Sequence, residues 1–547
     1  MAQERDDQEQ TKGVSRRGFL TGLGAGAAGA AGAVVLPPEV AAQSRPPDTR
    51  PDRFSRLFPN LRPFFNETSD RLERALREIG AKDGIMDARD PLAEGPIRLI
   101  TNPELSPRNQ DNAANTAGTT FLGQFLDHGM TFDTTSRLGV PTRPERSPNA
   151  RTPLFDLDTV YGGGPTTSPH LYQDRDKAKF IVGDNGPFED LPRTNAGTAI
   201  IPDPRNDENL MIAGIQSAML MFHNAVVDRL RRDRDGRERD DERRTFEQAR
   251  EIVTWHYHWI ILNEFLPQIV GANAVNDVFR SRNRIFKPES GEQSIPVEFQ
   301  LMYRFGHSLI RPSYRANLNG NSDGSAFFGF IFDPAGQGQA DPVDLRGGAR
   351  APRRFIGWQT FFNFGNLVRP RPVGGALGPL SQDVRPNKLI DTRISSPLFL
   401  LPLGAIASGD LPISLAERNL LRHVTWSVPS GQAIAEALRI PVVSRTEFRD
   451  LARFDIGLDR STPLWFYILR EAEVAGRAAG LAGGQRLVGV GARVITEVFV
   501  GLLQADPNSF LNKNPRWRPT LPAATAGTFK MIDLLTVAGV DPTSRGQ

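Results

Sequence analysis

Three stretches of this 547-residue chain repeat their apolar side chains with the period of an α-helix and set a few polar groups among them. That pattern constrains the fold more than anything else in the sequence. From Thr119 to His128 the spacing predicts a helix with Gln124 and His128 at i and i+4 and Asp127 at i+3, all on one face. A second helix is expected to open at Asp203-Pro204, a capping residue followed by proline in the first turn. It is expected to run through Leu210, Ile215, Met219, Phe222, Val226 and Leu230, with Arg205 and Glu208 sharing its first turn. A third follows Ser294-Ile295-Pro296, stops at Pro312 and carries Arg304 and His307 at i and i+3. Helical patterns return at 415–422, 431–438, 463–479 and 491–503. A short amphipathic stretch covers 69–79, and the charged run 229–250 reads as a solvated helix surface and connection. The segment 328–396, rich in Gly, Pro and Arg, reads as long loops with short strands. The expected class is mainly α, with few short strands and long loops.

Cysteine is absent, which excludes disulfides, iron–sulfur clusters and thiolate-ligated haem. Only seven histidines remain as strong metal ligands. A net charge of +3 leaves no electrostatic footprint for nucleic acid. Ser15-Arg16-Arg17-Gly18-Phe19-Leu20 has the form of a twin-arginine export signal. The Gly- and Ala-rich stretch 21–35 follows it, and Ala41-Ala42 offers a cleavage point before Gln43. Twin-arginine machinery carries folded proteins, which suits a cofactor inserted before export to the periplasm or beyond the cell. No other stretch is expected to be long and apolar enough to cross a bilayer.

Reducing peroxide at a haem iron takes one base to accept a proton, one permanent cation beside the oxygen–oxygen bond, and one imidazole to hold the metal from the other side. A lone histidine on an amphipathic helix is ordinarily a satisfied core residue, but the context of these histidines supplies all three parts. Gln124-x-x-Asp127-His128, Arg205-x-x-Glu208 and Arg304-Phe305-Gly306-His307 resemble, in that order, the distal His, distal Arg and proximal His segments of the peroxidase–cyclooxygenase superfamily, the animal-type haem peroxidases.

The resemblance implies haem b between His128 and His307. His128 would be the acid–base group, Arg205 the cation, and Gln124 the group orienting water or halide. Arg304 would pair with a haem propionate. Asn419-x-x-Arg422 is similar to the family's proximal support, where Asn419 would accept the His307 imidazole N–H and Arg422 would hold a propionate. Asp127 and Glu208 match carboxylates that form ester links to haem in mammalian members; they are either such links or polar neighbours of backbone and arginine. Asn209 excludes a third, sulfonium link. The family's calcium loop is matched by Thr152, Leu154, Asp156 and Asp158, although the aspartate expected after the distal His is Gly129. These oxygens either hold calcium or form an Asx-type turn packed on the distal helix. Trp255-His256-Tyr257-His258-Trp259 is a decoy, because i, i+2 spacing sends the two rings to different sides of a helix.

The implied reading is a bacterial, exported haem peroxidase that reduces hydrogen peroxide and oxidises halides, thiocyanate or small organic donors, as in the response to oxidative stress. Its expected parts are a signal peptide (1–42), an N-terminal arm (43–115) and the haem peroxidase domain (116–547). Two rivals share the fold: a fatty-acid dioxygenase, which would want a tyrosine where Arg304 stands, and a secreted binding protein without catalysis.

Overall fold

The computed structural model describes residues 53–184, 188–233, 241–281, 284–288, 294–336, 341–365, 384–406, 409–478 and 483–545. The signal segment 1–42 lies outside them. Eight helices build the core around the site: α1 (Asp70–Gly80), α2 (Ala117–Met130), α3 (Leu210–Asp233), α4 (Glu242–Ile260), α5 (Val297–Tyr303), α6 (Leu415–Thr425), α7 (Leu464–Ala478) and α8 (Gly489–Ala505). The strands among the described residues form two-stranded antiparallel ribbons. One of them pairs β1 (Asp111–Thr116) with β2 (Pro386–Lys388) and leads directly into α2. The molecule is mainly α with few short strands, as expected.

Helix α1 shows how local sequence sets these elements. The Ser69 hydroxyl accepts from Leu72 N, Asp70 and Glu73 sit in the first turn, and Leu72, Ala75, Leu76 and Ile79 are buried along one stripe. It lies on α6, and Ser414 ties the two together: its hydroxyl caps α6 through Glu417 N and donates to the Gly80 carbonyl. A Cβ on Gly80 would come within 2.6 Å of Glu417 N, so the crossing depends on glycine there. Residues 53–115 therefore feed the same core as the rest of the chain.

Helix α2 is buried along most of its length and packs on α3 and on the 3₁₀ turn Arg304–Leu309 that follows α5. That turn is held from its other side by α7. The histidine-bearing ends of α2 and of the α5 segment are thus brought together by two packed layers.

The structure corrects three expectations. The helix predicted from Asp203 is a 3₁₀ turn, Pro204–Asp207, and α3 begins only at Leu210. Glu208 and Asn209 are drawn out of the helix by a neighbouring segment: Gly347 N donates to Glu208 O, Leu210 N donates to Leu345 O, and Asn209 bridges Arg346. Secondly, His307 lies on the 3₁₀ turn, because the α-helix ends at Tyr303. Thirdly, α3 is long and apolar enough to cross a membrane, with a mean hydropathy of 1.5, although most of it is buried inside the protein.

Candidate active site

His128 stands near the end of α2 and is 5% exposed. Its Nδ1 lies 2.7 Å from Asn206 Oδ1. Asn206 Nδ2 donates to Gln216 Oε1 at 2.8 Å, and Gln216 Nε2 donates to the Thr159 carbonyl at 3.1 Å. A carbonyl can only accept, so every bond in this chain has a fixed direction and His128 Nδ1 must carry the proton. Nε2 is left as the lone-pair nitrogen. Burial, reinforced by Arg205, lowers the His128 pKa to about 3, so the ring is a neutral base through the ordinary pH range.

Arg205 is held on three sides. Its Nε and one terminal nitrogen donate to Asp203 at 3.0 and 2.7 Å, and that nitrogen also donates to the His128 carbonyl at 2.9 Å. Its guanidinium carbon sits 4.2 Å from the centre of the Phe132 ring. The cation is thereby fixed beside the histidine. Gln124, expected to turn its amide toward a ligand, has both ends engaged: Nε2 donates to Glu208 Oε2 at 3.1 Å, and Oε1 accepts from Asn209 Nδ2 at 3.2 Å. The displacement of Glu208 and Asn209 from α3 is what brings them within its reach.

Asp127 and Glu208 are half-buried carboxylates without an ion pair of their own. Asp127 accepts from the Thr131 hydroxyl at 3.3 Å. Burial raises both pKa values, that of Glu208 to about 8, against the opposing pull of Arg205. Carboxyls with raised pKa values beside a fixed arginine are candidates for chemistry or for a ligand.

Around His307, Asn419 Nδ2 lies 2.7 Å from His307 Nδ1, while Asn419 Oδ1 accepts from Arg304 at 2.8 Å. This corrects the expected role of Asn419, because its acceptor oxygen is taken by Arg304 and its donor faces the imidazole. Arg422 also differs from expectation. It pairs with Asp133 at 2.7 Å and donates to the Ser136 hydroxyl, tying α6 to the loop after α2. Arg304 Nε is buried without a partner and faces Arg422 electrostatically, which with burial lowers its pKa to about 10. His307 falls to about 3 through burial, Arg304 and His128, so the two rings are close enough for charge on one to disfavour charge on the other.

The candidate calcium residues lie in one loop beside Arg151. Asp158 Oδ2 accepts from Thr152 N and faces the Arg151 guanidinium at 3.5 Å, and Asp156 Oδ1 accepts from Asp158 N. Leu154 N donates to Thr152 O within the same turn. Among the described residues no cluster of three or more His, Asp or Glu is arranged for a metal ion. The decoy histidines are core residues: His256 Nε2 accepts from Thr520 N and His258 Nε2 bonds the Phe155 carbonyl. Sequence reasoning missed Asn206, Gln216 and Arg151, and it saw Asp203 only as a helix cap.

Residues 133–327, starting just past His128, match the family model described as animal haem peroxidase. Chorion peroxidase of Aedes aegypti is 26% identical over 202 residues, 34% of this chain and 25% of that protein, so the match spans a quarter of the relative's length. Peroxidase A from Dictyostelium discoideum superposes with a TM-score of 0.56 at 16% identity, covering 88% of this chain and 92% of the other. A fatty acid alpha-dioxygenase from Oryza sativa gives 0.52 at 14% identity, over 88% and 80%. Over residues 133–327 the chain is thus similar to the animal haem peroxidase family, and its fold is similar to those of both solved structures.

Proposed function

We propose that the chain is a haem-dependent peroxidase that takes hydrogen peroxide as oxidant and a halide, thiocyanate or small organic molecule as reductant. One observation carries the reading. Two imidazoles, His128 buried and His307 half-buried, lie close enough to feel each other's charge, each is held at Nδ1 by an asparagine, and neither Nε2 has a hydrogen-bond partner.

The residues present fit a haem once the Asn419 amide turns and leaves His307 Nε2 as the lone-pair nitrogen. A Cβ on Gly306 would meet nothing within 4 Å, leaving open space beside His307. Arg304 keeps an unpartnered buried nitrogen for an acidic substituent, and Asp127 and Glu208 are carboxyls that feel Arg205 without forming an ion pair. His307 would hold the iron, and Asp127 and Glu208 would bond the porphyrin edge, as ester links once formed. Bound haem would supply the metal at which peroxide is reduced and the oxidising power passed to the donor.

The chain's own part is acid–base and electrostatic. His128 Nε2 takes the proton from the attacking peroxide oxygen and returns it to the departing one, work typically worth about 100- to 10,000-fold. Arg205 sets a permanent positive charge where negative charge develops on the leaving oxygen. Asp203 keeps that guanidinium from turning away.

The dioxygenase reading is weaker. The residue three positions before His307 is Arg304, and neighbouring Tyr303 spends its hydroxyl on the Gly123 carbonyl at 3.1 Å. Export through the twin-arginine route belongs to the same proposal and rests on Arg16 and Arg17. The deciding experiment is a visible spectrum of the purified protein, followed by peroxide with halide, thiocyanate or phenol, and in parallel by oxygen uptake with a fatty acid. Haem absorption and peroxide-dependent donor oxidation are expected. Fatty-acid-dependent oxygen uptake without donor oxidation would favour the dioxygenase, and a colourless protein would favour the binding protein.

A further inference from the structure

Arg151 lies in the loop after α2, where none of the sequence motifs asks for a cation. It is 1% exposed. Its Nε stands 2.9 Å from Asp203 Oδ2, NH1 stands 3.5 Å from Asp158 Oδ2, and NH2 donates to the Pro202 carbonyl at 3.2 Å. A guanidinium keeps its proton, so burying one requires carboxylates around it. Asp203 is shared with Arg205, which gives an alternating run Asp158–Arg151–Asp203–Arg205. Asn149 stitches the same loop to the end of α2, accepting from Phe132 N and donating to the Met130 carbonyl, both at 2.8 Å.

A calcium ion wants about six to eight oxygen ligands. Gly129 supplies no side chain, and a dication at Asp158 would share that carboxylate with a fixed guanidinium, like charge against like charge. We propose that Arg151 is the internal cation of this loop, standing in place of a bound calcium, and that it positions Arg205 through Asp203. The first half holds whatever the chain catalyses; the second rests on the peroxidase reading.

The test uses the full chain, isolated with its haem and dialysed against metal-free buffer. Its calcium content is measured by atomic emission, and its melting temperature with added calcium and with a chelator. Calcium well below one per chain and equal melting temperatures are expected. One retained calcium per chain, or a melting temperature lowered by the chelator, overturns the proposal. Arg151→Met should melt about 3 to 5 °C lower, and an unchanged melting temperature also overturns it.

Peroxide kinetics test the positioning half. Arg151→Met should lose about 10- to 100-fold in kcat/KM for peroxide, with the donor KM unchanged and Arg151→Lys recovering part of the rate. A wild-type rate in the Met variant overturns the positioning role. If the Met variant does not fold, the Lys variant carries this arm, and the metal measurements on the wild type still decide the first half. A wild-type protein without haem would sink the peroxidase reading and leave the calcium result standing.

Discussion

His128 and His307, the proposed distal and proximal histidines, are held by the same device, an asparagine at Nδ1, yet the two devices run in opposite directions. On the distal side the hydrogen-bond chain ends on the Thr159 carbonyl, an obligate acceptor, so the Asn206 oxygen must face His128. On the proximal side it begins at the Arg304 guanidinium, an obligate donor, so the Asn419 oxygen is consumed and its amide N–H faces His307. The last group in each chain, rather than the asparagine, decides which imidazole nitrogen bears the proton. The distal ring is preset as a base. The proximal ring is preset with its proton on Nε2, the nitrogen a metal would need, so ligation requires Arg304 to release the amide and the amide to turn.

The largest expected effect breaks the proximal side. His307→Ala should abolish stable haem binding, while His258→Ala should leave haem content near wild type, because His258 spends Nε2 on the Phe155 carbonyl. Unchanged iron ligation in the His307 variant, read from its absorption spectrum, would end the assignment. Next comes the distal side. His128→Ala and Arg205→Ala should keep haem and slow the peroxide step by about 100- to 10,000-fold, as followed by stopped flow. Asn206→Leu, which leaves the base in place but frees its tautomer, should fall between them and wild type. A His128 variant within a few-fold of wild type would remove the mechanism.

Asp127 and Glu208 give a smaller, graded effect. After turnover with peroxide, acid–acetone extraction should leave haem on the protein, and Glu208→Gln should release more of it than wild type does. Complete recovery of unmodified haem b would make Asp127 and Glu208 polar neighbours only.

The contrast between the two sides also explains what the sequence could and could not show. His128, Arg205, Arg304 and His307 were legible because each sits in a short segment with helical spacing and a characteristic neighbour. Their partners were not. Asn206 bonds His128 across 78 positions, and Arg151 bonds the Pro202 carbonyl across 51. Such pairs are made by packing rather than by local pattern. The start of α3 failed for the same reason. Asp203-Pro204 is a sound local signal, but a segment more than a hundred residues away claims the Glu208 carbonyl and the Leu210 N–H. Gly347 permits that approach, since a Cβ there would stand 1.5 Å from the Asp207 carbonyl oxygen.

Acid pH should separate the chemistry from the fold. His128, at about 3, remains a base well below the ordinary value of 6.5. The peroxide rate per folded molecule should therefore be level from neutral pH down to about pH 4; an acid limb near 6.5 would contradict the buried environment. Stability should behave differently. His128, His223, His256, His258 and His423 all have folded pKa values lowered by burial to about 3 or 4. Their contribution is full above 6.5 and is lost as pH falls through the folded value, at about 1.4 kcal/mol per histidine per pH unit. Glu264 and Glu471, raised to about 7 by burial, work in the opposite sense, losing stability as pH rises through 7. The melting temperature should decline below pH 6.5 and more steeply below about 4.5, where the glutamates are protonated in both states and no longer offset part of the loss.

The smallest effect tests the comparison at its origin. Asn419 faces two groups that each want an acceptor once His307 carries its proton on Nδ1: the imidazole N–H and the Arg304 guanidinium. An amide has one acceptor oxygen and a carboxylate has two. Asn419→Asp is nearly isosteric and gives each partner its own oxygen, with Arg304 and Arg422 nearby to balance the charge. Haem retention should stay within a few-fold of wild type or improve, and a more anionic imidazole should lower the reduction potential by about 60 mV, a tenfold change for one electron. Asn419→Leu leaves both donors bare and should retain haem less well, at about 1 to 3 kcal/mol for each unmet buried group. If the aspartate variant proves as damaging as the leucine variant, the proximal ring is not governed by competition for one oxygen, and the opposition between the two hydrogen-bond chains has no consequence for ligation.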